Sequence, residues 1–199
     1  MMDQRFVESM EIIDTVVQIL QRSKQHTQEL KLKSGTQVAA DVMFITHIRI
    51  CIVLDELRRL NGLCKDIPGL QDVFSRIAPF YKYARKYEKG FESVRNSMVA
   101  HYNRNKAGKY VSFTEKLHVF DVPRSEAELH FICDCLECIR KALFNNFPDA
   151  KEFVVRNIEN ALVKLKEFGK NIKVVTPINI EDLKKSVNQD LFNRGLKPL

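Results

Sequence analysis

Apolar side chains recur at Phe6, Met10, Ile13, Val17 and Leu20, in steps of four and three that place all five on one side of a helix. The stretch Lys33-Ser34-Gly35-Thr36 predicts its end. A second helix is predicted with Val38, Val42, Ile45, Ile48 and Ile52 on one side, running to about Leu60. A loop containing Gly62, Pro68 and Gly69 follows. Residues 70–89 read as a further helix with Pro79 as a point of bending, Phe80, Tyr83 and Tyr87 as a core stripe, Tyr81 as the freer ring, and Gly90 as a break. The next helix is expected from about Phe91 to Asn103.

From 109 to 123 the pattern alternates apolar and polar residues, which predicts a short hairpin or an extended insert. Ser125 with Glu128 three residues on has the form of a capping box and opens another helix. That helix carries two apolar stripes. One is Leu129, Ile132, Leu136, Ile139 and Leu143; the other is Phe131, Cys135, Cys138 and Ala142. Two stripes imply burial on most sides and a central position. Pro148 starts the last long helix, with Val154, Ile158, Leu162, Leu165 and Phe168 in register and Gly169 at its end. An extended stretch and a short amphipathic helix over 180–193 close the chain.

The fold expected is all-α: a helical bundle of five or six main helices, with an irregular or hairpin insert and a C-terminal arm. The bundle domain spans 1–170 with its insert at about 109–123, and the arm spans 171–199. Seven glycines and six prolines in 199 residues are few for an all-β chain with its many tight turns. No apolar run approaches the roughly 20 residues that span a bilayer, so no membrane partner is expected.

Five cysteines, an odd number, stand behind a charged, amphipathic N-terminus that does not read as a secretion signal, so reduced thiols and a cytoplasmic location are expected. In a helix Cys135 and Cys138 share a stripe while Cys133 points elsewhere, and there is no second Cys-x-x-Cys. Core packing is therefore expected of these thiols rather than zinc. His26, His47, His118 and His130 have no metal-ligand spacing and read as surface or packing residues. Gly-x-x-x-x-Gly-Lys-Ser/Thr, Gly-x-Gly-x-x-Gly and Gly-x-Ser-x-Gly do not occur, which leaves P-loop hydrolysis, Rossmann cofactor binding and α/β-hydrolase chemistry unsupported. No cofactor and no metal are expected.

The charge is uneven. Residues 81–110 hold Lys82, Arg85, Lys86, Lys89, Arg95, Arg104, Lys106 and Lys109 against Glu88 and Glu92, and so carry +6 of the net +7. A concentrated basic surface attracts a polyanion such as nucleic acid. Inside it lies Arg95-Asn96, followed by His101. On a helix Arg95 and His101 stand about 120° apart around the axis and about 9 Å along it, so a phosphate would touch both if cradled across the row between them. RNA carries its own nucleophile, the 2′-OH. A neutral histidine can take that proton near working pH, and a planar, always-charged arginine suits the charge that builds on the phosphate. Such a reaction needs no metal. One histidine cannot be base and acid in a single step, and a symmetric dimer would supply a second copy.

At Arg95-Asn96, Ser97-Met98-Val99-Ala100 and His101 the chain resembles the HEPN superfamily (higher eukaryotes and prokaryotes nucleotide-binding domain). A small residue before the histidine and Tyr102 after it are similar to abortive-infection and toxin members. The resemblance implies a metal-independent endoribonuclease of toxin or phage-defence type that acts as a homodimer on RNA, tRNA among its substrates. It also implies an antitoxin partner such as a minimal nucleotidyltransferase. His101 would be the acid/base residue, Arg95 the phosphate and transition-state stabiliser, and Asn96 the polar positioner. Lys82, Arg85, Lys86, Lys89, Tyr102, Arg104, Lys106 and Lys109 would contact the strand. Some members of the family lack catalysis, so the alternative is a non-catalytic module that binds nucleic acid, a nucleotide or a protein.

Overall fold

The computed structural model describes residues 3–29, 37–99, 120–123 and 125–171, with 185, 189 and 193. Six long helices account for nearly all of these: α1 (Gln4–Glu29), α2 (Gln37–Gly62), α3 (Leu70–Ala84), α4 (Glu88–Val99), α5 (Glu126–Asn146) and α6 (Pro148–Asn171). A 3₁₀ turn, Arg85–Tyr87, joins α3 to α4. No strand occurs among the described residues, and the protein is an all-α helical bundle. No described helix is long and apolar enough to cross a membrane. The chain divides into two compact units, Met1–Asn157 and Ile158–Leu199.

Side-chain contacts in the first unit fix the helix directions. Ser9 Oγ donates to Glu56 (2.7 Å) and Arg49 donates to Ser23 Oγ (2.9 Å), so α1 and α2 run antiparallel. Arg140 meets Asp14 (2.6 Å), Gln21 Nε2 donates to the Cys133 carbonyl (2.9 Å) and Lys24 meets Asp134 (2.5 Å), so α5 runs antiparallel to α1. α3 is antiparallel to α5, with Arg76 near Asn146 (3.4 Å) and Tyr83 on Phe131. α4 is antiparallel to α2, with His47 on Phe91 and Arg58 near Glu88. Thus α5 lies between α1 and α3, and α2 between α1 and α4. This is the up-and-down arrangement that amphipathic helices reach by burying their stripes against neighbours.

The α1 stripe is buried as its spacing predicts, each side chain at 1% exposure or less. Burial of such side chains stabilises by roughly 1.5–3 kcal/mol apiece. Ser125 is the N-cap of α5, its Oγ accepting from the Glu128 N–H at 3.1 Å. Pro148 opens α6 as expected. Gly69 has φ +80° immediately before α3, a left-handed conformation that only glycine adopts freely.

Several expectations are corrected. On α2 the buried row is His47, Ile50, Leu54 and Leu57, with Thr46, Cys51, Val53 and Leu60 beside it, while Ile45 is 45% exposed and Ile48 and Ile52 are half-buried. α2 is apolar around most of its circumference, and the row it buries contains a histidine. On α3, Phe80 is 41% exposed and Tyr83 half-buried, whereas Tyr87 is buried and Tyr81 packs edge-on against Phe74. The 3₁₀ turn rotates the chain faster per residue than an α-helix, which turns Tyr87 into the core out of register with Phe80. On α5, Cys133 and Cys135 are buried, but Cys138 is exposed and Phe131 is 51% exposed, so only one broad side of this helix is covered. On α6, Val154 is buried in the first unit, while Leu162 and Leu165 in the second are exposed.

Gly90 does not break a helix; it lies inside α4. A Cβ there would stand 1.8 Å from the Asp121 carbonyl oxygen. Glycine is required because the 120–123 segment, with Val122 and Pro123 buried, lies directly on this helix. The rest of the expected 109–123 insert, and the C-terminal arm apart from residues 171, 185, 189 and 193, lie outside the described residues.

Candidate functional site

α4 presents its residues in rows. Phe91 and Val94 are buried with Gly90. Glu88, Glu92 and Arg95, at i, i+4 and i+7, share the edge that faces α2. Lys89 and Asn96, seven residues apart, are exposed on the next row. The Arg95 side chain is 32% exposed, and its Nη1 lies 2.5 Å from Asp55 Oδ2 on α2. The Asp55 hydrogen bond pushes the Arg95 pKa above its already high usual value.

Asp55 also faces Arg58 Nη1 at 3.4 Å. Arg58 Nη2 reaches Glu88 at 2.7 Å and Glu92 at 2.8 Å, and Glu88 takes a further bond from Arg85 Nε at 2.8 Å. A continuous chain of ion pairs therefore runs Arg85–Glu88–Arg58–Asp55–Arg95, with Glu92 on its side. Burial pulls the Glu88 carboxyl upward, but the bonds from Arg58 and Arg85 outweigh it and hold it below the usual carboxylate range. Three arginines and three carboxylates balance here; Glu88 and Glu92 are already counted in the +6 of residues 81–110, and Arg58 and Asp55 cancel, so that excess rests on the basic residues outside this network.

The remaining expected contacts are spread unevenly. Lys82 and Lys89 are exposed. Lys86 lies 3.3 Å from Glu128, whose carboxylate also accepts a short hydrogen bond from Tyr87 Oη. Lys86 Nζ stands over the Tyr87 ring at 4.6 Å, and the Arg85 guanidinium over the Tyr81 ring at 5.2 Å. His101, Tyr102, Arg104, Lys106 and Lys109 lie outside the described residues.

Asp55 and Arg58 were absent from the sequence-level site. Their only signal is position: both flank the Leu54 and Leu57 ridge of α2, at the rim where a charged side chain meets its neighbour across an interface.

His47 is fully buried against the Phe91 ring (centroids 5.4 Å apart), and neither ring nitrogen has a hydrogen-bond partner among the described residues. Burial pushes its pKa down to about 4. His47 is therefore neutral and apolar in role at neutral pH. Burial likewise pushes the Cys51 thiol up to about 11 and Cys133 up to about 12, so neither is a thiolate nucleophile. No group of three or more His, Cys, Asp or Glu side chains among the described residues is placed to hold a metal ion.

No protein family, curated protein or solved structure matches this chain.

Proposed function

We propose that this protein is a metal-independent endoribonuclease of the HEPN kind, acting as a homodimer on RNA, with tRNA among its candidate substrates. Arg95 stabilises the phosphate charge, Asn96 positions it, and the two His101 copies of the homodimer divide the proton transfers, one taking the 2′-OH proton and the other giving a proton to the leaving oxygen. The observation that supports this reading most is the placement of Arg95 and Asn96. Both are accessible on α4, Asn96 in the row of exposed Lys89 and Arg95 in the row beside it, and Lys82 and Arg85 precede that helix in the chain. A toxin or phage-defence role, with an antitoxin such as a minimal nucleotidyltransferase, accords with a ribonuclease that must be restrained in its own cell.

A second reading has its own support. Asp55 occupies Arg95 in this conformation and withholds it from a scissile phosphate, as suits a non-catalytic module whose nucleic-acid, nucleotide or protein partner is held by other residues. Growth on induced expression separates the two. A ribonuclease arrests its host when wild type, and His101→Ala restores growth at equal protein level. Equal growth with both forms favours the binding module.

A further inference from the structure

Along α3 and the 3₁₀ turn that follows it, a cleft of about 560 Å³ opens beside the end of α2. Gln71, Ser75, Ala78 and Lys82 line it in helical steps of three and four, Tyr81 and Arg85 close one end, and Asn61 faces them from α2. The volume suits one nucleotide-sized group.

Arg85 is held ready for an anion. Its guanidinium stacks over Tyr81, which is itself braced by Phe74, and Glu88 holds Nε. Among the described residues Nη1 and Nη2 have no partner, so the pair of amino groups that grips a phosphate is free in the cleft wall. A guanidinium fixed on an aromatic ring loses little freedom when it binds, and its planar fork matches phosphate oxygens. Lys82 adds an exposed cation one turn earlier, while Asn61 and Gln71 offer amides that can both donate and accept, as a base edge requires. A second cleft, of about 550 Å³, is lined by Asp3, Asp66 and Asp149 with no cation and would repel phosphate, whereas the Arg85 cleft sets Lys82, Arg85 and Lys86 against the single carboxylate of Glu88.

We propose that the Arg85 cleft binds a nucleoside phosphate, with the phosphate on Arg85 and Lys82 and the base edge on Asn61 and Gln71. The proposal deepens the ribonuclease reading and rests on it for the source of that group, a nucleotide of the RNA strand outside the scissile position. The ion-pair chain from Arg85 through Glu88, Arg58 and Asp55 connects the wall of this cleft to Arg95.

The test uses the full chain and a fluorescein-labelled 2′-O-methyl oligoribonucleotide of about twelve nucleotides, a length within the range single-strand sites cover. It lacks the 2′-OH and so reports binding apart from cleavage. Anisotropy titrations are compared for wild type, Arg85→Ala, Arg85→Lys, Ala78→Trp and, as a control on α6, Lys151→Ala. Ala78→Trp fills the cleft without removing charge or touching the ion pairs. Arg85→Ala and Ala78→Trp are expected to weaken binding at least about tenfold, Arg85→Lys by less, and Lys151→Ala hardly at all. Calorimetry with adenosine monophosphate distinguishes the source. Arg85-dependent uptake of the mononucleotide with no strand binding supports the cleft, assigns it a free nucleotide and removes the RNA-strand reading. Strand affinity unchanged in both Arg85→Ala and Ala78→Trp, or no binding of either probe, overturns the cleft. Loss of cleavage activity alone, with Arg85-dependent binding retained, counts against the ribonuclease and leaves the cleft standing.

Discussion

Arg95 and Asp55 grip each other across the interface of α4 and α2, with Nη1 2.5 Å from Oδ2 and each side chain about one-third exposed. The arginine expected to meet phosphate is thus already matched by a carboxylate. A pair this exposed contributes only about 0.2–1 kcal/mol to folding, so its main consequence is electrostatic. Asp55→Asn should leave the melting temperature within a few degrees and tighten binding of a 2′-O-methyl oligoribonucleotide by a few-fold at low salt. The gain should shrink as ionic strength rises. Anisotropy at two salt concentrations checks this; weaker binding in the variant would mean that Asp55 holds Arg95 in its binding position.

Gly90→Ala reverses the usual sign of a helix substitution. Inside a helix, alanine is ordinarily better than glycine by about 1 kcal/mol. Here the new Cβ would stand 1.8 Å from the Asp121 carbonyl oxygen, a backbone atom that cannot swing aside. The variant should lose roughly 1–3 kcal/mol, read as a fall of several degrees in Tm. A higher Tm would show that 120–123 does not lie on α4.

His47 makes stability depend on acidity. Its pKa is about 4 in the folded chain against 6.5 for a free histidine. Above pH 6.5 both states are neutral and the group has no effect. Between 6.5 and 4 the unfolded chain takes a proton that the folded chain refuses, so stability falls as pH falls, by up to about 3 kcal/mol from this group. Urea melts of wild type and His47→Phe should diverge across that window, with the variant losing less. Parallel curves would contradict a buried, unpartnered His47.

Thiol chemistry should follow burial. Iodoacetamide on the native protein should label Cys138 first and Cys64 more slowly, and reach Cys51, Cys133 and Cys135 only after unfolding. Peptide mass spectrometry reads the order; Cys133 reacting as fast as Cys138 would put α5 in a different rotation.

The parts of the fold legible in the sequence were those with one apolar stripe and one polar face. α1 is the clearest, and the Ser125 cap is local chemistry that needs no tertiary context. α2 misled because it is apolar nearly all round, and the row it buries passes through His47, which a hydrophobicity count penalises. Phe80 and Tyr87 looked equivalent because a 3₁₀ turn cannot be seen in a periodicity that assumes 3.6 residues per turn. Gly90 read as a breaker because glycine in sequence does not distinguish a helix end from a close backbone approach. In the candidate site, Arg95 and Asn96 were legible as a pair on one helix. Asp55 was not, because a partner forty residues away is fixed only by how α2 packs on α4.

Incubating purified wild-type, His101→Ala and Arg95→Ala protein with total tRNA in EDTA, and resolving the products on a denaturing gel, decides whether the protein is a metal-independent ribonuclease. Discrete fragments with 2′,3′-cyclic phosphate ends are expected from the wild type, and intact RNA from both variants. Intact RNA in every lane, or equal cleavage by wild type and His101→Ala, would contradict the proposed ribonuclease.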